Sequence, residues 1–386
     1  MNKITAYFQK LVFTESSTPV ALFILCLLNF GLLIPSLGFY MDDWPYVFYA
    51  KLKGIDSLRE MLMYDSRPNA AWLYMLGFRL LGFNPIAWHI FALLARFITV
   101  CSFWIFLRTL WLDRKTEALY ISLLFAIYPF FMLQPFAVGS THHWFGFFVF
   151  NLSLILMVLS IRSKGYQKWF FVCSALILEA VHLFTSEYFA GLELIRVAIL
   201  WILILRTEAP TSKKIVHVFF NWIPYLVILG IFFYWRVVIF QNPEGVIRNE
   251  PVILSQLLNQ PLQAITFLFN AFLTDFISVL TIGWQKATDV STFNLASLFV
   301  QFKIAICLFG FALVFLYFRN LFSNATETQA DWDKHSFGLA IFALMTGGLP
   351  IWLIGRSIVE SKKFIIGFTV RSACYVWGIY INFYCN

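Results

Sequence analysis

Charge is scarce in this chain of 386 residues: Asp, Glu, Lys and Arg together make up 12%, about half the ~25% usual in soluble globular domains. Apolar residues fill 60% of it, with 46 Phe and 14 Trp. That balance excludes an ordinary soluble domain. The sequence also lacks a GxGxxG run and a P-loop, so no nucleotide site is indicated. Six cysteines (Cys26, Cys101, Cys173, Cys307, Cys374, Cys385) form no CxxC pair and mostly sit inside apolar runs. Neither a disulfide framework nor a zinc site follows from them. No internal repeat, low-complexity linker or soluble domain interrupts the pattern.

What is present is a series of long apolar runs. In hydrocarbon the backbone must satisfy its own N–H and C=O groups, so such runs are helices. Spans are expected near 19–39, 86–107, 117–134, 144–161, 168–184, 188–205, 215–240, 297–318 and 337–355, with a further one at 364–380. The expected fold is therefore an all-α polytopic membrane helical bundle of about nine or ten transmembrane helices. Three regions are read from this pattern. Residues 1–240 form a transmembrane module with a first external loop at 40–85. Residues 241–296 form a more polar loop with a Phe-rich stretch that lies on the membrane or enters it. Residues 297–386 carry the C-terminal spans. Within the first loop, IDSLREMLMY and AAWLYMLGFRLLG are short and amphipathic, suited to lying at the interface. MNKITAYFQK precedes the first run with no A-x-A-like site after it, which reads as an uncleaved signal anchor.

The net charge of +8 calls for no nucleic acid, because Lys and Arg cluster in alternate short loops. Lys3 and Lys10 precede the first span. Arg108, Arg114 and Lys115 follow the second, Arg162, Lys164 and Lys168 the fourth, and Arg206, Lys213 and Lys214 the sixth. The connections Pro135 to His143 and Thr185 to Glu187 hold no Lys or Arg. The N-terminus is accordingly expected in the cytoplasm. Asp42, Asp43, Arg67, His142, His143 and Glu187 are then all sent to the other face.

These groups are the candidates for chemistry. Asp42 and Asp43 stand at headgroup depth beside Trp44, Tyr46 and Tyr49, where an interfacial cap is the plain reading. Two adjacent, partly dehydrated carboxylates repel, which raises one proton affinity and poises one as a general base. The other stays ionised to orient a substrate or a divalent cation, so a metal is allowed by this chemistry without being required. Arg67, in YDSRPNAAW, is held off the helical region by Pro68, and its guanidinium suits a phosphate. A snorkelling arginine is the plain alternative. Adjacent His142 and His143 point about 100° apart on a helix, so hydroxyl or phosphate recognition suits them better than one shared metal. Glu187 is the carboxylate nearest the outer face, after Glu179 and His182. Glu193 and Arg196, three apart, read as a structural pair.

Four elements in order (MDDWPY, DSRPNAAW, LGFNPIAWH and TSEYF) make roughly residues 19 to 205 resemble the GT-C superfamily of membrane glycosyltransferases. The nearest branch holds the protein O-mannosyltransferases, the bacterial lipid A aminoarabinose transferases and uncharacterised bacterial relatives. The resemblance implies Asp42 or Asp43 as the base or acceptor-orienting carboxylate. It implies two interfacial helices in the first external loop, and transfer of a sugar from a polyprenyl-phosphate donor to a lipid, glycan or protein hydroxyl. The location implied is the outer face of a bacterial inner membrane. Arg67–Pro68 stands where the mannosyltransferases carry His-Pro-Pro. The segment GFTVRSACYVWGIYINFYCN closes the chain at an apolar run, where relatives usually continue for more spans; a shortened C-terminus is expected. A transporter or flippase for a lipid-linked or anionic solute is the competing reading, and it predicts charges near the midplane.

Overall fold

A computed structural model describes residues 17–128, 136–205, 210–241, 243, 252–287, 296–321 and 330–353. The described residues are helical, with no strand among them. Eight helices are long and apolar enough to cross a membrane: Thr18–Ser36, Pro85–Leu110, Thr141–Arg162, Gly165–Thr185, Glu187–Leu205, Thr211–Ile239, Pro261–Ile282 and Lys334–Leu353. This is a helical membrane bundle.

The first span begins as α1 (Thr18–Cys26), with Pro19 in its first turn, and continues through π and 3-10 turns to Ser36. Three short helices follow: α2 (Asp43–Phe48), α3 (Leu58–Tyr64) and α4 (Ala71–Leu81). None is long enough to span. They form a small core of their own, in which Leu58, Leu62, Tyr74 and Phe78 pack with Trp88, Ala137 and Val138. Trp44, Phe48, Trp72, Leu76 and Leu80 stay exposed on the other side, the division expected of helices lying at an interface. The next span starts abruptly. Gly82 takes φ +61°, Asn84 caps the helix by accepting from the Ile86 N–H (2.9 Å), and Pro85 occupies the first helical position of α5 (Pro85–Leu110). Asn at the cap and Pro just inside are the residues a helix start favours.

Helix α6 (Lys115–Ile127) has 13 residues, about 20 Å at 1.5 Å each. The span expected at 117–134 is therefore described only in part: the described helix is shorter than the bilayer core, and residues 129–134 lie outside the described residues. Helices α7 (Thr141–Arg162), α8 (Gly165–Thr185), α9 (Ile195–Leu205) and α10 (Thr211–Tyr234) follow as an antiparallel series. Helix α7 is central: 61% of its apolar window is buried, against 22% for Thr211–Ile239. Small and polar residues make that possible. Ser153 Oγ donates to the Ala175 carbonyl (2.7 Å) and Asn151 Nδ2 to Ser102 Oγ (3.0 Å), interhelical bonds of the kind that hold helices together where lipid and protein are equally apolar.

Beyond these lie α11 (Val252–Asn259), α12 (Pro261–Ala287), α13 (Leu298–Leu321), α14 (Ala330–Gly347) and α15 (Leu349–Leu353). The Phe-rich stretch of the expected 241–296 loop is thus part of a helix long enough to cross the membrane. Helix α13 matches the expected 297–318 segment, with its apolar part at Val300–Gly310. The expected span at 364–380 lies outside the described residues.

Glu193 and Arg196 do pair, fully inside the bundle. Arg196 Nε donates to Glu193 Oε2 and Arg196 Nη2 to Glu193 Oε1 (3.0 Å), while Nη2 also reaches Ser153 Oγ (3.0 Å). His182 Nε2 lies 2.8 Å from Glu193 Oε1, and Glu179 is buried beside them. This cluster ties α7, α8 and α9 together.

Candidate functional site

The chain brings Asp42, Asp43, Arg67, His142, His143 and Glu187 to one end of the bundle. Helix α3 ends at Tyr64 in a Schellman turn. The Arg67 N–H bonds the Leu62 carbonyl (2.8 Å), the Ser66 N–H bonds that of Met63 (3.1 Å), and Ser66 takes φ +62°. That is the left-handed position glycine usually fills. Arg67 then lies at φ −131°, ψ 52°, out of the helical region as a residue before proline should be. The turn aims its side chain inward, where it is 8% exposed.

There the guanidinium is taken up by acids. Nε and Nη2 donate to Glu187 (3.3 and 3.0 Å), Nη1 to Asp65 Oδ2 (2.7 Å), and Nη2 also to the Tyr188 hydroxyl (2.7 Å). Four of the five N–H donors an arginine owns are spent. Burial pulls its pKa down, but Glu187, Tyr188 and Asp65 outweigh that and hold it well above the ordinary value. The sequence reading offered Arg67 to a phosphate. Its geometry instead makes it the support of two carboxylates, Asp65 (17% exposed) and Glu187 (20% exposed).

The histidines connect this support to the acidic pair. His143 stacks on Tyr188 (centroids 5.4 Å, 21° between planes), and the His142 and His143 rings lie 3.9 Å apart. His142 is buried, its Nδ1 2.5 Å from the Tyr74 hydroxyl. Tyr74 stacks on Tyr46 at 4.4 Å. Both hydroxyls keep their protons more firmly than free tyrosine: burial comes first for each, then Asp65 for Tyr46 and Tyr46 for Tyr74.

Asp42 and Asp43 have different surroundings. Asp43 is buried, and its carboxylate accepts from four backbone N–H groups: Gly139 (2.8 Å), Val138 (2.9 Å), Ala137 (3.2 Å) and Tyr40 (3.3 Å). Burial pushes its pKa up to about 6, and the four N–H donors hold it from going higher. Asp42 is exposed and sits against the turn that Asp43 holds. A Cβ on Gly139 would lie 3.3 Å from the Asp42 Cβ, so glycine permits the close approach. Met41, just before the pair, takes φ +28°, a strained value for a side-chain-bearing residue. Trp44 is exposed and edges against Phe39 at 6.0 Å, a rim residue without a polar partner in the cluster.

Several members of this cluster do not stand out in the sequence. Tyr74 looks like one more aromatic of an amphipathic helix, and Asp65 and Tyr188 sit inside motifs noticed for their neighbours. Arg236, in the π-turn Trp235–Ile239 that ends the α10 span, is half-buried within electrostatic reach of Glu187 and Arg67. Among the described residues it joins no ion pair; its guanidinium lies 5.0 Å from the Phe240 ring. A cation near the end of an apolar run reads as a snorkelling residue, which is why sequence alone passes over it.

Among the described residues no group of three or more His, Cys, Asp or Glu has the geometry to hold a metal ion. Comparison with family models, with curated proteins and with solved structures finds no match to this chain. The cluster must be read on its own chemistry. It offers an exposed carboxylate beside the turn that Asp43 holds, two further carboxylates fixed by an arginine, hydroxyl and imidazole groups between them, and Arg236, a cation that joins no ion pair among the described residues.

Proposed function

We propose that this protein is an integral membrane glycosyltransferase of GT-C type, moving a sugar from a polyprenyl-phosphate donor to an acceptor hydroxyl on the outer face of the membrane. The observation that carries the reading is the meeting of Asp42, Asp43, Arg67, His142, His143 and Glu187, drawn from four separate segments, at one end of the bundle. Short amphipathic helices with exposed aromatics flank it. The Lys- and Arg-bearing loops of the sequence support an outward placement of that end. Nucleotide sugars are absent there, and a lipid-carried donor would place its phosphate at headgroup depth.

In this reading Asp42 takes the proton of the acceptor hydroxyl as that oxygen bonds the anomeric carbon. The bond from that carbon to the phosphate oxygen breaks, and its electron pair leaves with the polyprenyl phosphate. Asp43 is a positioning residue: it fixes the turn against which Asp42 rests. Arg67 holds Asp65 and Glu187 towards the sugar hydroxyls and the positive charge that develops on the ring, and Arg236 meets the departing phosphate. A general base contributes about 10²–10⁴-fold. Asp42→Asn should therefore lower sugar transfer in proteoliposomes by that factor without changing the melting temperature. Full activity in Asp42→Asn would overturn the assignment.

The buried cluster of Arg196, Glu193 and His182 is the observation that favours the transporter reading, since charges at membrane depth often line solute paths. Flux of a lipid-linked solute without formation of a glycosylated product would decide for it.

A further inference from the structure

The opposite end of the bundle holds a cavity of about 260 Å³ between α8 and α10, with its floor on α7 and α9. Its mouth is polar and aromatic: Lys168, Trp169, His217 and Asn221 line it. Trp169 and His217 are exposed, so the cavity opens on the flank of the bundle where lipid would lie. Two buried polar groups line it, Ser160 and Tyr225; Tyr225 is only 3% exposed, and its hydroxyl lies beside Ser160 but lacks a hydrogen-bond partner of good geometry. Ser160 Oγ itself donates to the Met157 carbonyl (2.7 Å). A buried hydroxyl left unsatisfied costs about 1–3 kcal/mol, so such a group favours a water or a ligand atom beside it.

Charge specifies the ligand. The stretches 162–168 and 211–217 that flank the mouth contain Arg162, Lys164, Lys168, Lys213, Lys214 and His217, and no acid. Among the described residues Lys168 makes no ion pair. Basic pockets between membrane helices attract anionic headgroups at roughly 1 kcal/mol per Lys or Arg near the surface. The volume lies below the ~300–1,000 Å³ of drug-sized sites, enough for a headgroup phosphate and its glycerol but not for acyl chains. Those would run outward along the apolar flanks of α8 and α10.

We propose that this cavity binds an anionic phospholipid, with the phosphate held by Lys168 and His217 and the Tyr225 hydroxyl donating to a phosphate or ester oxygen. The site is independent of the reading given to the Asp42 end. Native mass spectrometry of the full chain, titrated separately with phosphatidylglycerol, phosphatidylcholine and inorganic phosphate, tests it. Phosphatidylglycerol should bind at least fivefold tighter than phosphatidylcholine, and inorganic phosphate should not bind measurably. Lys168→Ala should weaken the phosphatidylglycerol affinity about fivefold and Tyr225→Phe about threefold. Lys164→Ala, which removes a charge beside the mouth but not from the cavity wall, should weaken it less than Lys168→Ala does. Tyr225→Phe keeps the ring that Arg196 packs on at 4.7 Å, so the fold should survive. Unaltered binding in both Lys168→Ala and Tyr225→Phe would overturn the proposal, as would an equal loss in Lys164→Ala. Inorganic phosphate binding as tightly as the lipid would reassign the site to a soluble anion.

Discussion

Two arginine–glutamate centres occupy this bundle, and they differ in what water can reach. Arg196 and Glu193 are 0% and 2% exposed, whereas the acids on Arg67 keep 17% and 20% of their surface. The inner centre is closed on protein groups: Glu193, Ser153, the Met157 sulfur and the Tyr225 ring. The outer one leaves both of its carboxylates, Asp65 and Glu187, partly exposed. The same residue types are therefore sealed inside the bundle in one place and partly open in the other. Where a charged pair is sealed, its removal should be felt as stability; where it is open, as activity.

The strongest way to break that contrast is Arg196→Ala. It strands Glu193 at membrane depth and should cost about 3–5 kcal/mol, read as a fall in melting temperature in detergent. If the variant keeps its stability and loses only activity, the inner centre is no brace.

Asp43→Asn comes next, with a cost of about 1–3 kcal/mol, because an amide replaces one acceptor oxygen with an NH2 that faces the same four N–H donors. Its pH dependence is a sharper test. Asp43 is raised from 3.8 to about 6, so the folded state holds a proton that the unfolded state has released between those values. The associated stability is complete below about pH 4 and is lost as the pH rises through 6. The deficit of Asp43→Asn relative to the native chain should therefore be widest near pH 4 and shrink towards pH 7. A deficit that grows instead would mean that the four N–H donors outweigh burial.

The outer centre should respond in kinetics. Arg236→Ala should raise the KM for a polyprenyl-phosphate donor roughly tenfold, with little change in melting temperature, the loss of one phosphate contact. Gly139→Ala should have a smaller effect, severalfold in kcat, by pressing a Cβ onto Asp42 and moving it a few tenths of an ångström. Equal activity in Gly139→Ala would show that the position of Asp42 does not matter.

Much of this architecture is legible in the sequence because apolar runs and loop charges are local signals. The spans at 86–107, 144–161, 168–184, 188–205 and 215–240 reappear within a few residues, lengthened by capped or interfacial turns that hydropathy does not register. The collection of Asp43, Arg67, His142 and Glu187 at one end followed from counting crossings. The inner workings of that end did not. The division between Asp42 and Asp43 depends on backbone amides 94 to 96 residues away, and the commitment of Arg67 to Glu187 spans 120. Nothing in residue type distinguishes an arginine that meets acids from one that awaits a phosphate. The stretch Pro261–Ile282 was ambiguous because polar and apolar residues mix along it, although its length suffices to cross.

The grip of Asp43 on Ala137, Val138 and Gly139 also sets a timetable. The acid leaves the ribosome long before the amides it needs, and at 5–20 residues per second the delay is roughly 5–20 s. Throughout that interval the loop after the first span is made but unlocked, with a carboxylate that must stay hydrated. Only when α7 enters the membrane does the turn before it arrive and draw Asp43 inside. The order of synthesis thus keeps the loop that presents Asp42 open until the helices beneath it are in place.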